Sequence, residues 1–257
     1  MKLKLPNKYA IIAILLLAAA AVFITIALTS NFGEFVTASF VISGMICVVI
    51  GIFSLTFSMG EPLDPRLLGL LPAQGCINLC TILQSHGISG NANFLPPYVT
   101  GETRVMQFNP VSPYKGSGEH PKGSFRKTGP AGIVTLPSCH LLIKDLKNQN
   151  ALVIPDKEEK LTELIRETIE DVFKFAPRVS ARWEGSKATI TFHEYPYIDG
   201  CKVIAQKSRT CCNMSPCPAC SLCGALIAEG LDTVVSLDRC SVSSSSKDVT
   251  AVFSLLP

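Results

Sequence analysis

The stretch Cys211-Cys212-Asn213-Met214-Ser215-Pro216-Cys217-Pro218-Ala219-Cys220-Ser221-Leu222-Cys223 belongs to a zone, residues 201–240, that holds seven of the chain's eleven cysteines. A helix that opens at Pro216 or Pro218 uses proline where its missing N–H costs nothing. Cys217, Cys220 and Cys223 then fall in the first turns, where free amides and the helix dipole favour thiolate. The neighbours of this helix set the fold class. Residues 233–237 read as a strand leading to Cys240, and residues 249–255 as a last strand. Upstream, residues 178–184 and 188–195 alternate around Gly185-Ser186, a hairpin signal. Before them, residues 157–175 carry an apolar stripe of Leu161, Leu164, Ile165, Ile169, Val172 and Phe173, with Asp156 as N-cap, Glu159 three residues on, and Pro177 as stop. Helices between short alternating strands indicate an α+β domain with antiparallel strands.

Two chemistries are open to the cysteines. Cys212, Cys217, Cys220, Cys223 and Cys240, with Cys211 in reserve, offer sulfur ligands for zinc or an iron–sulfur cluster. Reduced structural or redox-active thiols explain the same residues, and the second C-x2-C pair of a zinc ribbon is missing. His193 and Glu194 point to opposite faces of their strand, so no catalytic constellation stands out.

The order long helix, β-hairpin, cysteine-bearing helix, strand ending in cysteine, final strand resembles the C-terminal part of 4-vinyl reductase-type ligand-binding domains, relatives in fold of the transport-particle (TRAPP) subunits. The matching residues are Cys220 or Cys223, Gly224, Ala225, Glu229-Gly230, Val235, Cys240 and residues 249–255, over about the last hundred positions. Thr250 stands where members of that family often carry a further cysteine. The resemblance implies a small-ligand-binding fold.

The first sixty residues have a different character. Residues 9–28 form an apolar run of about 30 Å as a helix, enough to cross a bilayer. Residues 35–58 form a second, and Glu34 is the one charge between Ala10 and Met59. A six-residue polar turn joins them, so a transmembrane helical hairpin is expected over residues 1–59, with Ser43, Gly44, Gly51 and Ser54 permitting close approach. Lys2, Lys4 and Lys8 precede the first run and the turn has no cation, which places both termini in the cytoplasm. Residues 60–257 then form one cytoplasmic domain. The hairpin followed by Gln74-Gly75-Cys76-Ile77 and the cysteine-rich end resembles a family of archaeal two-span membrane-anchored proteins, a resemblance that implies anchoring and no particular activity.

Between these parts, Pro62 and Pro65 read as a stop and spacer. Residues 73–86 read as a helix ended by Gly87, with Cys76 and Cys80 on one face as buried small residues. Residues 104–109 and 132–136 read as strands. The segment 112–129, rich in Gly, Pro and cations such as Lys115, Lys122, Arg126 and Lys127, matches no phosphate-loop spacing and reads as a hairpin tip. Ser138 is taken as an N-cap.

Three of the 23 Lys and Arg precede the first apolar run, and the remainder nearly balances the acids. No basic stripe interleaved with aromatics suggests nucleic-acid binding. The chain is therefore expected to be a membrane-anchored binding or sensing module, with the bilayer and a small hydrophobic ligand or metal as partners. A membrane-associated iron–sulfur or dithiol redox protein is the alternative.

Overall fold

Helix α1 (Lys8–Thr29) and helix α2 (Glu34–Met59) open the computed structural model, which describes residues 8–30, 33–59, 64–116, 131–150, 152–208, 210–243 and 245–257. The chain divides into two units, Met1–Leu63 and Asp64–Pro257. Within the first, α1 and α2 pack antiparallel. The space a Cβ would take at Gly44 is bounded by Ile24 and Ala20, and at Gly51 by Leu17 and Ala13, so glycine lets the backbones approach. Large apolar side chains such as Leu15, Leu28, Met45 and Phe53 face outward. This is the pattern of helices solvated by lipid rather than water.

The second unit begins with α3 (Pro65–Ser85), eight residues earlier than the sequence pattern placed it. Asp64 caps it, its carboxylate accepting the Arg66 N–H at 3.0 Å, and Pro65 sits at the first helical position, where proline starts a helix instead of stopping one. So extended, α3 becomes a third helix long and apolar enough to cross a membrane, beside residues Tyr9–Thr29 and Glu34–Thr56. The third is hidden in the sequence pattern because Pro62 and Pro65 look like a stop and spacer before it. The helix ends as expected, with Gly87 in the left-handed region.

A seven-stranded antiparallel sheet follows, in the order β3-β2-β1-β6-β7-β5-β4. The strands are β1 (Asn93–Leu95), β2 (Met106–Pro110), β3 (Gly132–Thr135), β4 (Arg178–Glu184), β5 (Lys187–His193), β6 (Val234–Val242) and β7 (Val249–Leu256). Three-residue β1 escapes pattern recognition because Asn93, Phe94 and Leu95 are all buried and show no alternation. It closes the centre by pairing with both β2 and β6. The hairpin β4–β5 turns at Gly185-Ser186, with Glu184 opposite Lys187. Residues 117–130, most of the expected cationic tip, lie outside the described residues, as do Lys2 and Lys4.

The remaining helices are α4 (Pro97–Thr100), α5 (His140–Asn150), α6 (Glu158–Glu167), α7 (Ile198–Lys207), α8 (Cys211–Met214) and α9 (Pro218–Gly230). One sheet face supplies Ala188, Ile190, Phe192, Val235, Leu237, Ala251 and Phe253 to a core shared with α6 and α9. The opposite face carries a smaller cluster around Leu95, Phe108 and Val234. A third cluster joins α3 to α7 and α8 through Ala73, Cys76, Cys80, Leu83, Ile204 and Met214. The amphipathic α6 starts at Glu158 with Lys157 as N-cap, so Asp156 does not cap it. It passes into a π-helical turn at Thr168–Val172. Ser138 does not cap α5 either. Its hydroxyl donates across the fold to the Pro216 carbonyl at 2.8 Å, tying down the residue before Cys217.

Candidate functional site: a string of thiols beside an apolar cavity

Helix α9 is seated by its smallest residue. A Cβ on Gly224 would fall 2.2 Å from the Phe94 ring of β1, so only glycine lets the helix lie this close to the sheet. Cys217 is its N-cap and Pro218 the first helical residue. The Cys217 carbonyl accepts the first helical bond, from the Ser221 N–H at 2.9 Å. The Ala219 and Cys220 amides lie near enough to the Cys217 sulfur to draw its proton affinity down, without making a full capping hydrogen bond.

Cys240 reaches the same place by a local fault in the sheet. The β6–β7 register shifts between Leu237 and Arg239, a bulge at Asp238. Leu237 faces the core opposite Phe253. Strict alternation from there would turn Cys240 outward, whereas the extra residue sets it opposite Ala251 on the helix-bearing face. Asn213, at α8, secures the bulge. Its side chain accepts the Cys240 N–H at 2.9 Å and donates to the Asp238 carbonyl at 3.1 Å, while its own carbonyl accepts the Ala92 N–H at 2.8 Å. Buried Gln107 and Asn109 hold α8 from below, Asn109 Nδ2 donating to the Met214 carbonyl at 2.8 Å.

The sulfurs consequently come together. Cys220 Sγ and Cys240 Sγ are 3.9 Å apart. Cys201 interacts with Cys217, Cys217 with Cys220, and Cys212 with Cys240. These contacts connect Cys201, Cys217, Cys220, Cys240 and Cys212. Thiols of Cys201 and Cys220 donate to Cys217 and hold it well below the usual cysteine range, against the opposing effect of burial. Thiols of Cys212 and Cys220 lower Cys240 to about 5. The donors Cys201, Cys212 and Cys220 are raised by those same bonds and by burial. Hydrogen bonds from neighbouring thiols thus favour the thiolate form at Cys217 and Cys240 against the opposing effect of burial.

Of the sulfurs named from spacing, the structure brings together Cys212, Cys217, Cys220 and Cys240. Cys223 is fully buried in the main core, its proton affinity raised by burial first. Cys211 belongs to the α3 cluster, its thiol donating to the Cys76 carbonyl at 3.8 Å, with Cys80 as a side-chain partner. Cys201 has no metal-ligand or C-x-x-C spacing that marks it in the sequence. Its only signal is its place beside Gly200 on a helix that must approach another closely. Among the described residues, no three His, Cys, Asp or Glu side chains form a ready ligand set for one ion. The thiols contact one another in pairs, and that arrangement fits proton sharing and sulfur–sulfur exchange.

One end of the string opens into a cavity of about 420 Å³. Cys201 and Cys217 share its wall with Pro72 of α3, Ile204 of α7, Tyr195 and Tyr197. Among the described residues, no Asp, Glu, Lys, Arg or His lines it. Tyr197 packs edge-on against both Tyr195, at 5.5 Å between ring centres, and Phe175, at 6.3 Å. The wall is suited to a flat uncharged molecule. Comparison of the chain with protein-family models, curated proteins and solved structures finds no match.

The shifted proton affinities have a measurable consequence. Cys240 is more acidic folded than unfolded, where cysteine titrates near about 8.5. Its stabilising contribution is complete above that pH and is lost as pH falls through about 5. Cys139, raised by burial, and Cys211, raised by burial and Cys80, both reach about 12 and act oppositely. Their contribution is complete below about 8.5 and fades as pH rises toward 12. Titration of the ultraviolet thiolate band of the folded protein is expected to show absorbance retained at pH 7, with the Cys240 share of it lost near pH 5. A band that develops only at alkaline pH would contradict the assignment.

Proposed function

We propose that this protein is a membrane-anchored module that takes a small, uncharged, apolar ligand into the cavity between α3, α7 and α9. The observation that carries the reading is the chemistry of that wall, which among the described residues is largely apolar, with no Asp, Glu, Lys, Arg or His and with the Cys201 and Cys217 sulfurs, the Ser138 hydroxyl and the Tyr195 and Tyr197 phenols as its polar groups. Water fills such a space poorly, and transfer of an apolar molecule into it contributes about 25 cal/mol per Å² removed from water. The resemblance to 4-vinyl reductase-type ligand-binding domains, through Cys220, Gly224, Ala225, Gly230 and Cys240, agrees with the reading.

A fluorinated naphthalene added to the full chain in lipid nanodiscs should give a distinct bound resonance in fluorine NMR. Ala73→Phe, which fills the cavity from α3, and Leu141→Trp, at an exposed position on its rim, are expected to remove that resonance. Undiminished binding in both folded variants would place the ligand elsewhere.

In this reading α1 and α2 cross the bilayer and α3 does not. The α3 face made of Ala73, Cys76, Cys80 and Leu83 is already buried against Ile204, Cys211 and Met214. Moving α3 into lipid would strip that cluster from its partners. Two spans and the N-terminal lysines then place residues 64–257 in the cytoplasm. A green fluorescent protein fused to the C-terminus should fluoresce, and an alkaline phosphatase fused there should be inactive. The reverse pattern would make α3 a third span.

A further inference from the structure

The string of thiols does more than line the ligand site. Cys217-Pro218-Ala219-Cys220 is a C-x-x-C pair at the start of a thirteen-residue helix, with Cys217 in the cavity wall and the Cys220 thiol, outside that lining, in side-chain contact with it. That is the arrangement of a nucleophile and its resolving thiol. The cavity selects the partner. A charged thiol such as glutathione would find no cation in the wall, whereas a flat neutral ring meets Tyr195, Tyr197 and Phe175.

We propose that Cys217 and Cys220 form a dithiol–disulfide centre that passes two electrons to an apolar quinone bound in the cavity. This rests on the ligand-binding reading above and names the ligand's chemical class. In the reaction, the Cys217 sulfur adds to a ring carbon of the quinone, forming a C–S bond and moving an electron pair onto the quinone oxygen. Before the ring rearomatises, the Cys220 sulfur attacks the Cys217 sulfur. The S–S bond forms, the C–S bond breaks, and its electron pair stays with the ring. One proton from the Cys220 thiol and one from solvent complete the hydroquinone. In sum, a thiolate, a thiol, a quinone and a proton become a disulfide and a hydroquinone. Cys240, 3.9 Å from Cys220, can then take over the bond by exchange, leaving Cys220–Cys240 as the disulfide and freeing Cys217.

The test uses the full chain in nanodiscs, reduced and desalted under anaerobic conditions, with menadione as oxidant. The expected result is one hydroquinone per disulfide, with the bridge mapped by mass spectrometry to Cys217–Cys220 or Cys220–Cys240. Cys217→Ser should remove hydroquinone formation, Cys220→Ser should leave a menadione adduct on Cys217, and Cys139→Ala should react as the wild type. A bridge involving Cys76, Cys80 or Cys211, or unaltered oxidation of Cys217→Ser, overturns the proposal. Oxidation by dithiodipyridine but not by menadione overturns the quinone assignment. Binding of the redox-inert fluorinated naphthalene to the Cys217→Ser, Cys220→Ser double variant separates the two readings. If it persists while menadione oxidises nothing, ligand binding stands and the electron transfer falls.

Discussion

Gly200→Ala is expected to destabilise the second unit by about 3 kcal/mol, the upper part of the usual range for overpacking, and to abolish binding in the cavity. The cause is the crossing of α3 and α7. A Cβ at Gly200 would lie 2.1 Å from the Gly69 carbonyl oxygen and 2.7 Å from its carbon. A Cβ at Gly69 would in turn lie 2.8 Å from the Tyr197 carbonyl oxygen. The obstacles are backbone atoms, which no rotamer change removes. The helices must separate, and since Gly69 and Gly200 both line the cavity, its shape is lost with the contact. Gly75→Ala is the control. Nothing lies within 4 Å of the added carbon, so the exchange follows helix propensity and stabilises by up to about 1 kcal/mol. Equal denaturation midpoints for the two variants would show that α3 and α7 are not in the described contact.

Asn213→Leu should cost about 2–6 kcal/mol, because the Cys240 N–H and the Asp238 carbonyl each lose a partner at about 1–3 kcal/mol per unsatisfied group. The chemical effect is the more telling one. The Cys240 backbone is held by Asn213 Oδ1, and without that bond the strand can return to ordinary alternation, turning the thiol away from Cys220 and Cys212. The donors that acidify Cys240 are those two thiols. Thiolate absorbance at pH 7 should therefore fall by the share of one sulfur, with Cys217 unaffected. Asn213→Asp keeps the acceptor but sets a carboxylate oxygen against the Asp238 carbonyl in place of the donor at 3.1 Å, and is expected to destabilise as well. An unchanged thiolate band in Asn213→Leu would mean that the bulge does not depend on Asn213.

Much of the architecture is written in local pattern. The apolar runs at α1 and α2, the stripe Leu161–Ile165–Ile169, and the Gly185-Ser186 turn each follow from a period or a backbone preference that a short segment carries by itself. Elements whose identity depends on distant partners are less legible. Strand β1 exists because β2 and β6 flank it, and the reach of α3 back to Pro65 turns on whether that proline starts a helix or ends one. Caps shifted for the same reason, with Ser138 drawn to Pro216 and Lys157 displacing Asp156.

The sequence by itself determined that the chain opens with helices fit for a membrane, that an α+β unit with antiparallel strands follows, and that cysteines cluster at the start of a late helix. Hydrophobic length, period and spacing are one-dimensional properties, so they can be read without coordinates. Which sulfurs meet was decided only in three dimensions. A single-residue bulge turns Cys240 inward, the packing of α7 beside the start of α9 sets Cys201 against Cys217, and the core claims Cys223. These outcomes depend on register and on the distance between backbones, and both arise from packing between segments far apart in the chain.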